Sequence, residues 1–551
     1  MGQRGFSLMD APWVMLPLIL ALCLRLYPFV ICCLPFSVDA WSSIKYAEIL
    51  LGNSPISLNS EALRGCDELG DRLFGAAISA LSGLKPITSM AFYLPFSGAI
   101  SILVLYGLVK NIYGRAAAFI ASMLLATAMP DVILTAGVKG ETYAHPLYMA
   151  LMLIFFCNGM GFWRSALLFS LVSTSLALTH YYTAILIAAS LVSMGMAKLI
   201  SRWRAGRDLE SRILIFPSIL AVTTFAYLTV YARWAFGFIS SIDWLSAASY
   251  QLPLFALVLY LTLKPQRASR ARTVTLGAVA SLTALLLAFL TTKTALVPGA
   301  PILPMHYLLY ACPFLIAVPI VFLAIRDIKV KINNNNDGCT VLPLFWLAVV
   351  VGLECYAVFG NVEAGLGLTL AYRGLVFLIP PLSILCATGL KSLLGEGRKR
   401  KRRFNGVGAI ILSAILALNL YAFYATIFMQ ERYLGYFWLY RLPEYRAGSW
   451  LSGAWRGGTM ACDVKFAYLL RQYFALKVDE FQGLFYLSGK ASLEPDILLI
   501  YDQMFKNGYV VYGGYSVEMP GNWTGRVESL SLVYSNGMVR AYSGDGLDRA
   551  S

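Results

Sequence analysis

Residues Ala11 to Trp41, APWVMLPLILALCLRLYPFVICCLPFSVDAW, decide the fold. The run is long enough to cross a bilayer, since a spanning helix needs about 20 mainly apolar residues. It continues past Arg25 to Leu34 without a small-residue cleavage pattern, so we interpret it as a retained membrane helix and not as a signal peptide. Asp39 and Trp41 follow at its end, where an aromatic side chain is typical of the membrane interface.

The composition of the whole chain agrees with a membrane protein. Hydrophobic residues make up 58% of the 551 residues, charged residues 13%, and the mean hydropathy is +0.67. A soluble domain carries about 25% charged residues, so most of this surface is expected to face lipid. The net charge of +15 is divided among short clusters between apolar runs and does not form one basic face, which argues against nucleic-acid binding.

Apolar runs of suitable length recur up to residue 428 and predict about thirteen transmembrane helices. We place them near residues 12–34, 87–109, 116–130, 144–160, 165–179, 181–198, 213–232, 246–263, 273–291, 305–325, 341–359, 374–390 and 404–428.

The orientation follows from the basic residues. The large Lys and Arg clusters, such as those at 198–212, 264–272 and 398–403, fall in alternate loops. Such clusters stay in the cytoplasm. We therefore predict a multi-pass protein of the cell membrane with a cytoplasmic N-terminus, and the odd number of spans puts the C-terminus outside.

Two segments on the predicted outer side are long enough to fold. The first is the loop at residues 35–86, within a transmembrane domain at 1–429; the second is a small mixed α/β domain at 430–551. Within that domain, strands are predicted at 497–501 and 509–512. A hairpin is predicted around Ser535-Asn536-Gly537, because Asn-Gly favours tight turns. The fold class is thus an all-α polytopic membrane protein with a small extracytoplasmic α/β domain.

Several residues have more than one interpretation from position alone. Asp39 at the end of the first helix is either a partly desolvated base or a solvated loop acid. Arg25, deep in that helix, is expected to pair, line a cavity or snorkel, because an Arg at the bilayer centre costs about 2.5–3.5 kcal/mol. Cys66 and Cys462 lie in the two outer segments and are either paired or free.

Three short motifs occur in order: Arg25-x-x-Pro28, Asp39-x-Trp41 and Tyr46-Ala47-Glu48-Ile49. This order resembles the GT-C membrane glycosyltransferases, with the closest likeness to catalytic subunits of oligosaccharyltransferase and to archaeal transferases that use dolichyl-phosphate-linked sugars. The resemblance covers residues 12–200 best, 372–390 moderately, and the rest by topology only.

The resemblance implies two acidic catalytic positions. Asp39 matches the catalytic acid of the family's first outer loop. In the next short outer loop, residues 131–141, which we call the second loop, Glu141 is the counterpart, with Asp131 in reserve. A divalent cation, Mg²⁺ or Mn²⁺, is implied on Asp39 and Glu141. The family's acid-x-acid pair is absent here, which puts this metal in doubt.

The resemblance also implies residues that bind the substrate. Arg373, at the outer start of the twelfth predicted span, matches an Arg that contacts the lipid phosphate. Lys139 is a second phosphate candidate, and His180 lies in a turn similar to His-containing turns of archaeal members. Trp41 is assigned to substrate binding with them.

The predicted function is therefore transfer of a sugar or glycan, with inversion, from a polyprenyl- or dolichyl-phosphate donor to a protein or lipid acceptor at the outer face. The family's Trp-Trp-Asp motif is replaced by Phe437-Trp438-Leu439-Tyr440, which argues against a standard N-glycosylation enzyme. Two alternatives remain from the sequence: a non-catalytic GT-C-like subunit, and a lipid or solute transporter.

Overall fold

The computed structural model describes residues 11–544, except 54–62, 64–65, 157–158, 205, 207, 209, 234, 236, 238–241, 264–268, 297–299, 336–337, 361, 363, 395–405, 456, 492–494 and 513–514. The basic run at 398–403, on which part of the predicted orientation rests, lies outside the described residues.

Helices dominate the chain up to residue 429. They are α1 (Ala11–Cys32), α2 (Ala40–Gly52), α3 (Gly70–Ser82), α4 (Pro86–Tyr113), α5 (Arg115–Thr127), α6 (Met129–Ala136), α7 (Gly140–Phe156), α8 (Phe162–Thr179), α9 (Tyr181–Arg204), α10 (Arg212–Val230), α11 (Trp244–Leu263), α12 (Arg270–Leu290), α13 (Leu308–Asn335), α14 (Leu342–Phe359), α15 (Ala364–Leu393) and α16 (Gly406–Tyr424), which continues into a π-helical turn (Ala425–Met429).

Among the described residues, eleven helices are long and apolar enough to cross a membrane, and the bent pair α5–α6 makes up to twelve. Thirteen spans were predicted from the sequence. The difference lies at α7, which has 17 residues and is a little short for a full crossing. The chain is a multi-pass membrane protein, and its apolar runs of spanning length predicted the positions of these helices.

The break between α5 and α6 bends this span by 62°. Pro130 lies in the first turn of α6, where its missing N–H costs nothing, whereas inside a continuous helix it would remove a hydrogen bond and clash with the preceding turn. The bend turns the short α6 and the following residues 137–141 toward the outer loop, as the pairing of Val138 with Phe36 shows (Val138 N–H to Phe36 O, 3.0 Å).

The outer loop at 35–86 contains α2 and α3, which pack on each other and on α4. Their shared apolar core includes Ile44, Leu50 and Leu94. Since α2 also packs against the C-terminal segment, this loop connects the membrane helices to that segment.

The described residues of the C-terminal segment add five helices and seven strands. They are α17 (Leu442–Ala454), β1 (Met460–Ala461), α18 (Val464–Tyr468) with a π-helical turn (Leu469–Tyr473), β2 (Val478–Asp479), α19 (Gln482–Leu487), β3 (Ile497–Tyr501), α20 (Asp502–Asn507), β4 (Tyr509–Tyr512), β5 (Tyr515–Val517), α21 (Trp523–Glu528), β6 (Ser531–Ser535) and β7 (Val539–Ser543).

Five of these strands form a mixed sheet in the order β2-β1-β3-β7-β6, while β4 and β5 form a separate antiparallel ribbon. β1 runs parallel to β2 and β3, and β7 runs antiparallel to β3 and β6. The predicted strands at 497–501 and 509–512 are confirmed. The predicted hairpin is confirmed too: Asn536 Oδ1 accepts from the N–H groups of Met538 and Val539, and Gly537 has φ +88°.

The two cysteines of the outer segments are not paired. Cys66 is a free thiol that accepts a contact from Arg72 Nη1 at 2.9 Å, in the core of the outer loop. Cys462 is a free thiol in the core of the C-terminal segment. The two side chains therefore stabilise separate cores.

Candidate active site

Arg373 is the centre of a group of polar side chains drawn from distant parts of the chain. Its Nε lies 3.3 Å from Glu141 Oε1, its Nη2 3.9 Å from Asp39 Oδ2, and its Nη1 3.5 Å from His180 Nε2. The structure thus brings together four of the residues singled out in the sequence.

Lys139 joins this group through Glu141. Its Nζ lies 2.6 Å from Glu141 Oε2, so one carboxylate contacts Lys139 through one oxygen and Arg373 through the other. The Glu141 side chain is only 3% exposed. An ion pair with little water around it is stronger and better ordered than one on the surface, so Glu141 fixes the positions of both cations.

The ring of His180 meets a donor at each of its nitrogens. The backbone N–H of Thr183 points at Nδ1 at 3.2 Å, and Arg373 Nη1, which can only donate, lies 3.5 Å from Nε2. Burial lowers the pKa of His180 to about 3, which favours the neutral ring. His180 therefore lies between Thr183 and the Arg373 guanidinium.

Glu68 is a member of the site that the sequence analysis missed. Its Oε1 lies 3.4 Å from His180 Nε2, and its side chain is 23% exposed. Burial raises the pKa of Glu68 to about 8, so the carboxyl is mostly protonated at neutral pH. The available signal was the acidic run Asp67, Glu68 and Asp71 within a chain that has 29 acidic residues in total.

Backbone hydrogen bonds hold the two loops of the site in register. Phe36 O accepts from Val138 N–H at 3.0 Å, and the N–H of Ser37 donates to Trp438 O at 3.0 Å. Ser37 has φ +91°, which is unfavourable for a residue other than glycine. The two hydrogen bonds maintain this backbone conformation. The first loop, the second loop and the C-terminal segment are thereby joined two residues away from Asp39.

Gly140 allows the close approach of these loops. A Cβ at this position would lie 2.6 Å from Thr179 O and 3.0 Å from Glu68 Oε2. Any side chain here would push Glu68 and the α8–α9 turn away from Glu141.

The C-terminal segment contributes Tyr468, a second residue that the sequence analysis missed. Burial and the nearby Asp39 carboxylate raise the pKa of the Tyr468 hydroxyl to about 12, and Arg373 also acts on it. The charges of Asp39 and Arg373 therefore act on Tyr468, and its phenol stays protonated. The sequence carries no motif that marks it.

Trp41 lies elsewhere. Its fully buried ring packs edge-on to Tyr440 at 5.1 Å, with Tyr445 at 6.1 Å and Tyr473 at 5.6 Å. Substrate binding remains only a prediction for Trp41, whereas its contacts place it between α2 and the C-terminal segment.

Arg25 and the reserve acid Asp131 form a pair of their own. Arg25 Nη2 lies 2.5 Å from Asp131 Oδ2, Arg25 Nε donates to Thr135 Oγ1 at 2.8 Å, and His145 Nε2 lies 3.2 Å from Asp131 Oδ1. Of the three readings of Arg25, the structure shows pairing.

Other ionisable side chains have separate contacts. His306 is half-exposed and lies 3.3 Å from Glu431. Glu354, in α14, packs against Gly374 of α15, where a Cβ would be 2.1 Å from its Oε1. Glu363 lies outside the described residues.

A divalent cation does not fit this arrangement of donors. Within the described part of the chain, no group of three or more His, Cys, Asp or Glu side chains is arranged to hold a metal ion. Both oxygens of Glu141 already contact Lys139 and Arg373, so an ion at Asp39 and Glu141 would have to displace a cationic side chain.

Comparison with known proteins shows what fold surrounds this site. No protein-family model and no curated protein matches the sequence. Solved structures do match: the apo oligosaccharyltransferase of Archaeoglobus fulgidus has a TM-score of 0.54 at 11% identity, over 99% of this chain and 76% of that chain. Its complex with Zn and sulfate has a TM-score of 0.52 at 11% identity, over 97% and 73%.

A further match is the archaeal oligosaccharyltransferase AglB from Archaeoglobus fulgidus in complex with an inhibitory peptide and a dolichol-phosphate. Its TM-score is 0.52 at 10% identity, over 90% of this chain and 70% of that chain. These similarities confirm the resemblance at the level of fold: the chain shares the fold of these archaeal oligosaccharyltransferases. At identities of 10–11% the comparison establishes the fold only, and the activity has to be argued from the chemistry of the site.

Proposed function

We propose that this protein is a GT-C glycosyltransferase that takes a sugar from a polyprenyl- or dolichyl-phosphate donor and transfers it, with inversion, to an acceptor at the outer face of the membrane. The single observation that carries the proposal is the contact of Arg373 with both Asp39 and Glu141, with Nη2 3.9 Å and Nε 3.3 Å from their oxygens.

The cationic side of the site suits a lipid phosphate. Arg373 offers a planar set of donors, of a kind that recognises phosphate oxygens, and Lys139 adds a second positive charge. His180 lies beside them, with its Nε2 3.5 Å from Arg373 Nη1. Because these groups are held by Glu141 and shielded from bulk water, they stabilise the charge that develops on the leaving phosphate without having to reorganise.

The anionic side suits the acceptor. The Asp39 side chain is 39% exposed, whereas Glu141 is 3% exposed, so Asp39 is the carboxylate that an entering acceptor can reach. We assign it as the base that removes the acceptor proton. The acceptor atom then forms a bond to the anomeric carbon, the bond from that carbon to the phosphate oxygen breaks, and polyprenyl phosphate leaves from the opposite face.

The acceptor differs from a standard N-glycosylation sequon in this reading. Phe437, Leu439 and Tyr440, which stand in place of the family's Trp-Trp-Asp motif, are all buried, and Trp438 O is bonded to Ser37. These residues join the C-terminal segment to the first loop. We therefore propose a protein or lipid acceptor read by other groups, of which Tyr468 is the nearest candidate.

The same proposal includes the topology and the division of the chain. The catalytic group lies between the first and second loops and α15, below the C-terminal segment. We assign residues 1–429 to the membrane domain and 430–551 to an extracytoplasmic domain, with the N-terminus in the cytoplasm.

The test is transfer from lipid-linked sugars by the purified full chain in nanodiscs. A panel of dolichyl-phosphate and undecaprenyl-phosphate monosaccharides is supplied, and release of polyprenyl phosphate is measured. Asp39→Asn should lower turnover by about 10²–10⁴-fold, the contribution of a positioned base. Asp502→Asn, which changes an exposed carboxylate of the C-terminal segment, is the matched control and should leave turnover unchanged.

Two outcomes contradict the proposal. Equal turnover of Asp39→Asn and the parent protein rules out the base. Binding of the donors with no transfer by the parent protein under any condition favours the non-catalytic subunit instead.

A further inference from the structure

We infer that Lys139 and Arg373 occupy the place of a divalent cation at this site, so that donor binding and sugar transfer proceed without one. The inference rests on the proposed function and specifies how that site handles the donor's phosphate.

The first support is the occupancy of Glu141. Its Oε2 lies 2.6 Å from Lys139 Nζ, and its Oε1 lies 3.3 Å from Arg373 Nε. A metal ion that bound Glu141 would displace at least one of these cations. Lys139 is itself buried, and removal of its partner would leave an uncompensated charge away from water, which is strongly unfavourable.

The second support is the balance of charge. Lys139 and Arg373 place two cations 2.6–3.9 Å from the carboxylate oxygens of Asp39 and Glu141. A divalent ion placed among them would be repelled by both cations at short range. An anionic phosphate, in contrast, is attracted by both.

The third support is the lack of spare ligands around Asp39 and Glu141. Within the described residues, which include Glu68 and His180, no group of three or more His, Cys, Asp or Glu side chains is arranged to hold a metal ion. The residue two positions after Glu141 is Tyr143, whose ring stacks on Phe74 at 4.5 Å and does not supply a second acid. A metal ion commonly needs four to six ligands, and the side chains here supply donors of hydrogen bonds instead.

The experiment measures metal binding and activity separately. Thermal unfolding of the full chain in nanodiscs is recorded with EDTA and with millimolar MnCl₂ or MgCl₂, and sugar transfer is assayed under the same conditions. The parent protein should show the same unfolding temperature and the same turnover with chelator and with metal. Lys139→Ala, which frees one oxygen of Glu141, should lose about tenfold or more in turnover. It should regain part of that turnover with Mn²⁺ and show a Mn²⁺-dependent rise in unfolding temperature.

Lys490→Ala is the matched control, since Lys490 is exposed on the C-terminal segment, and it should behave as the parent protein does. The inference is overturned if Mn²⁺ or Mg²⁺ raises the unfolding temperature of the parent protein, or if EDTA abolishes transfer and the metal restores it. The unfolding measurement decides the inference even if no donor is turned over, whereas absence of transfer under all metal conditions counts against the proposed function alone.

Discussion

Arg25 and Asp131 form an ion pair between α1 and α6 in which neither side chain has any exposed surface, with Nη2 and Oδ2 2.5 Å apart. The pair joins the helix that leads to Asp39 with the broken span that leads to Lys139 and Glu141. It therefore holds together the two elements that carry the loops of the site.

Removal of one partner of this pair should cost more stability than removal of both partners together. Arg25→Met or Asp131→Leu alone should destabilise the protein by about 3–5 kcal/mol, because each leaves an uncompensated buried charge. The double variant should recover much of that loss. Unfolding in detergent micelles measures the four proteins as a double-mutant cycle, and additive losses in the double variant would contradict the pairing.

Arg373 should control affinity for the lipid phosphate. Arg373→Ala removes a planar donor group and a charge from a partly buried site. We expect the binding free energy for undecaprenyl phosphate to weaken by about 2 kcal/mol or more, which raises Kd about thirtyfold. Arg373→Lys should recover only part of it, since an ammonium cannot replace the planar fork. Arg540→Ala, at an exposed position, is the control. Equal affinity of Arg373→Ala and the control variant would remove Arg373 from the phosphate site.

Glu68 should make the stability of the protein depend on pH. Its pKa is raised from 4.5 to about 8 by burial, so the folded state holds a proton that the unfolded state has lost over this interval. The stability that this proton contributes is therefore fully present below pH 4.5, the pKa of Glu68 in the unfolded state. It is lost as the pH rises through about 8, the pKa in the folded state. Between about pH 5 and pH 8, the unfolding temperature of the parent protein should fall as pH rises, and Glu68→Gln should flatten this dependence.

The control for Glu68 is Glu528→Gln, at an exposed position of α21, which should keep the slope of the parent protein. Arg72, Asp71, Arg373 and Glu141 also act on Glu68, so a slope that persists unchanged in Glu68→Gln would assign the titration to one of these neighbours.

Trp41 should matter for stability more than for substrate. Trp41→Ala empties a fully buried site among the rings of Tyr440, Tyr445 and Tyr473 and should cost about 3–5 kcal/mol. Trp41→Phe should cost less and leave the KM for the donor unchanged. A large rise in KM for Trp41→Phe, without loss of stability, would support the role in substrate binding.

Much of the fold was predictable because it depends on local patterns. Apolar runs of spanning length placed the helices, and Asn536-Gly537 placed the hairpin of β6 and β7. The count of spans was less certain, since Pro130 breaks one of them and α7 is short for a full crossing.

The site was predicted only in part. Asp39, Glu141, His180 and Arg373 were each chosen from a short motif, and the structure brings them within reach of one another. Glu68 was missed because its role depends on the α8–α9 turn, more than 100 residues later in the chain. Tyr468 was missed for the same reason at greater separation.

The sequence by itself determined the helices long enough to span a membrane, the strands at 497–501 and 509–512 with the Asn536-Gly537 hairpin, and the residue types available for chemistry, since these follow from hydropathy, turn residues and charge along a local stretch. Only the tertiary structure decided that Arg373 contacts both Asp39 and Glu141, that Lys139 holds the other oxygen of Glu141, and that Trp41 faces the C-terminal segment. The physical reason is that the strength of a charge contact depends on distance and on exclusion of water, and packing between distant helices sets both.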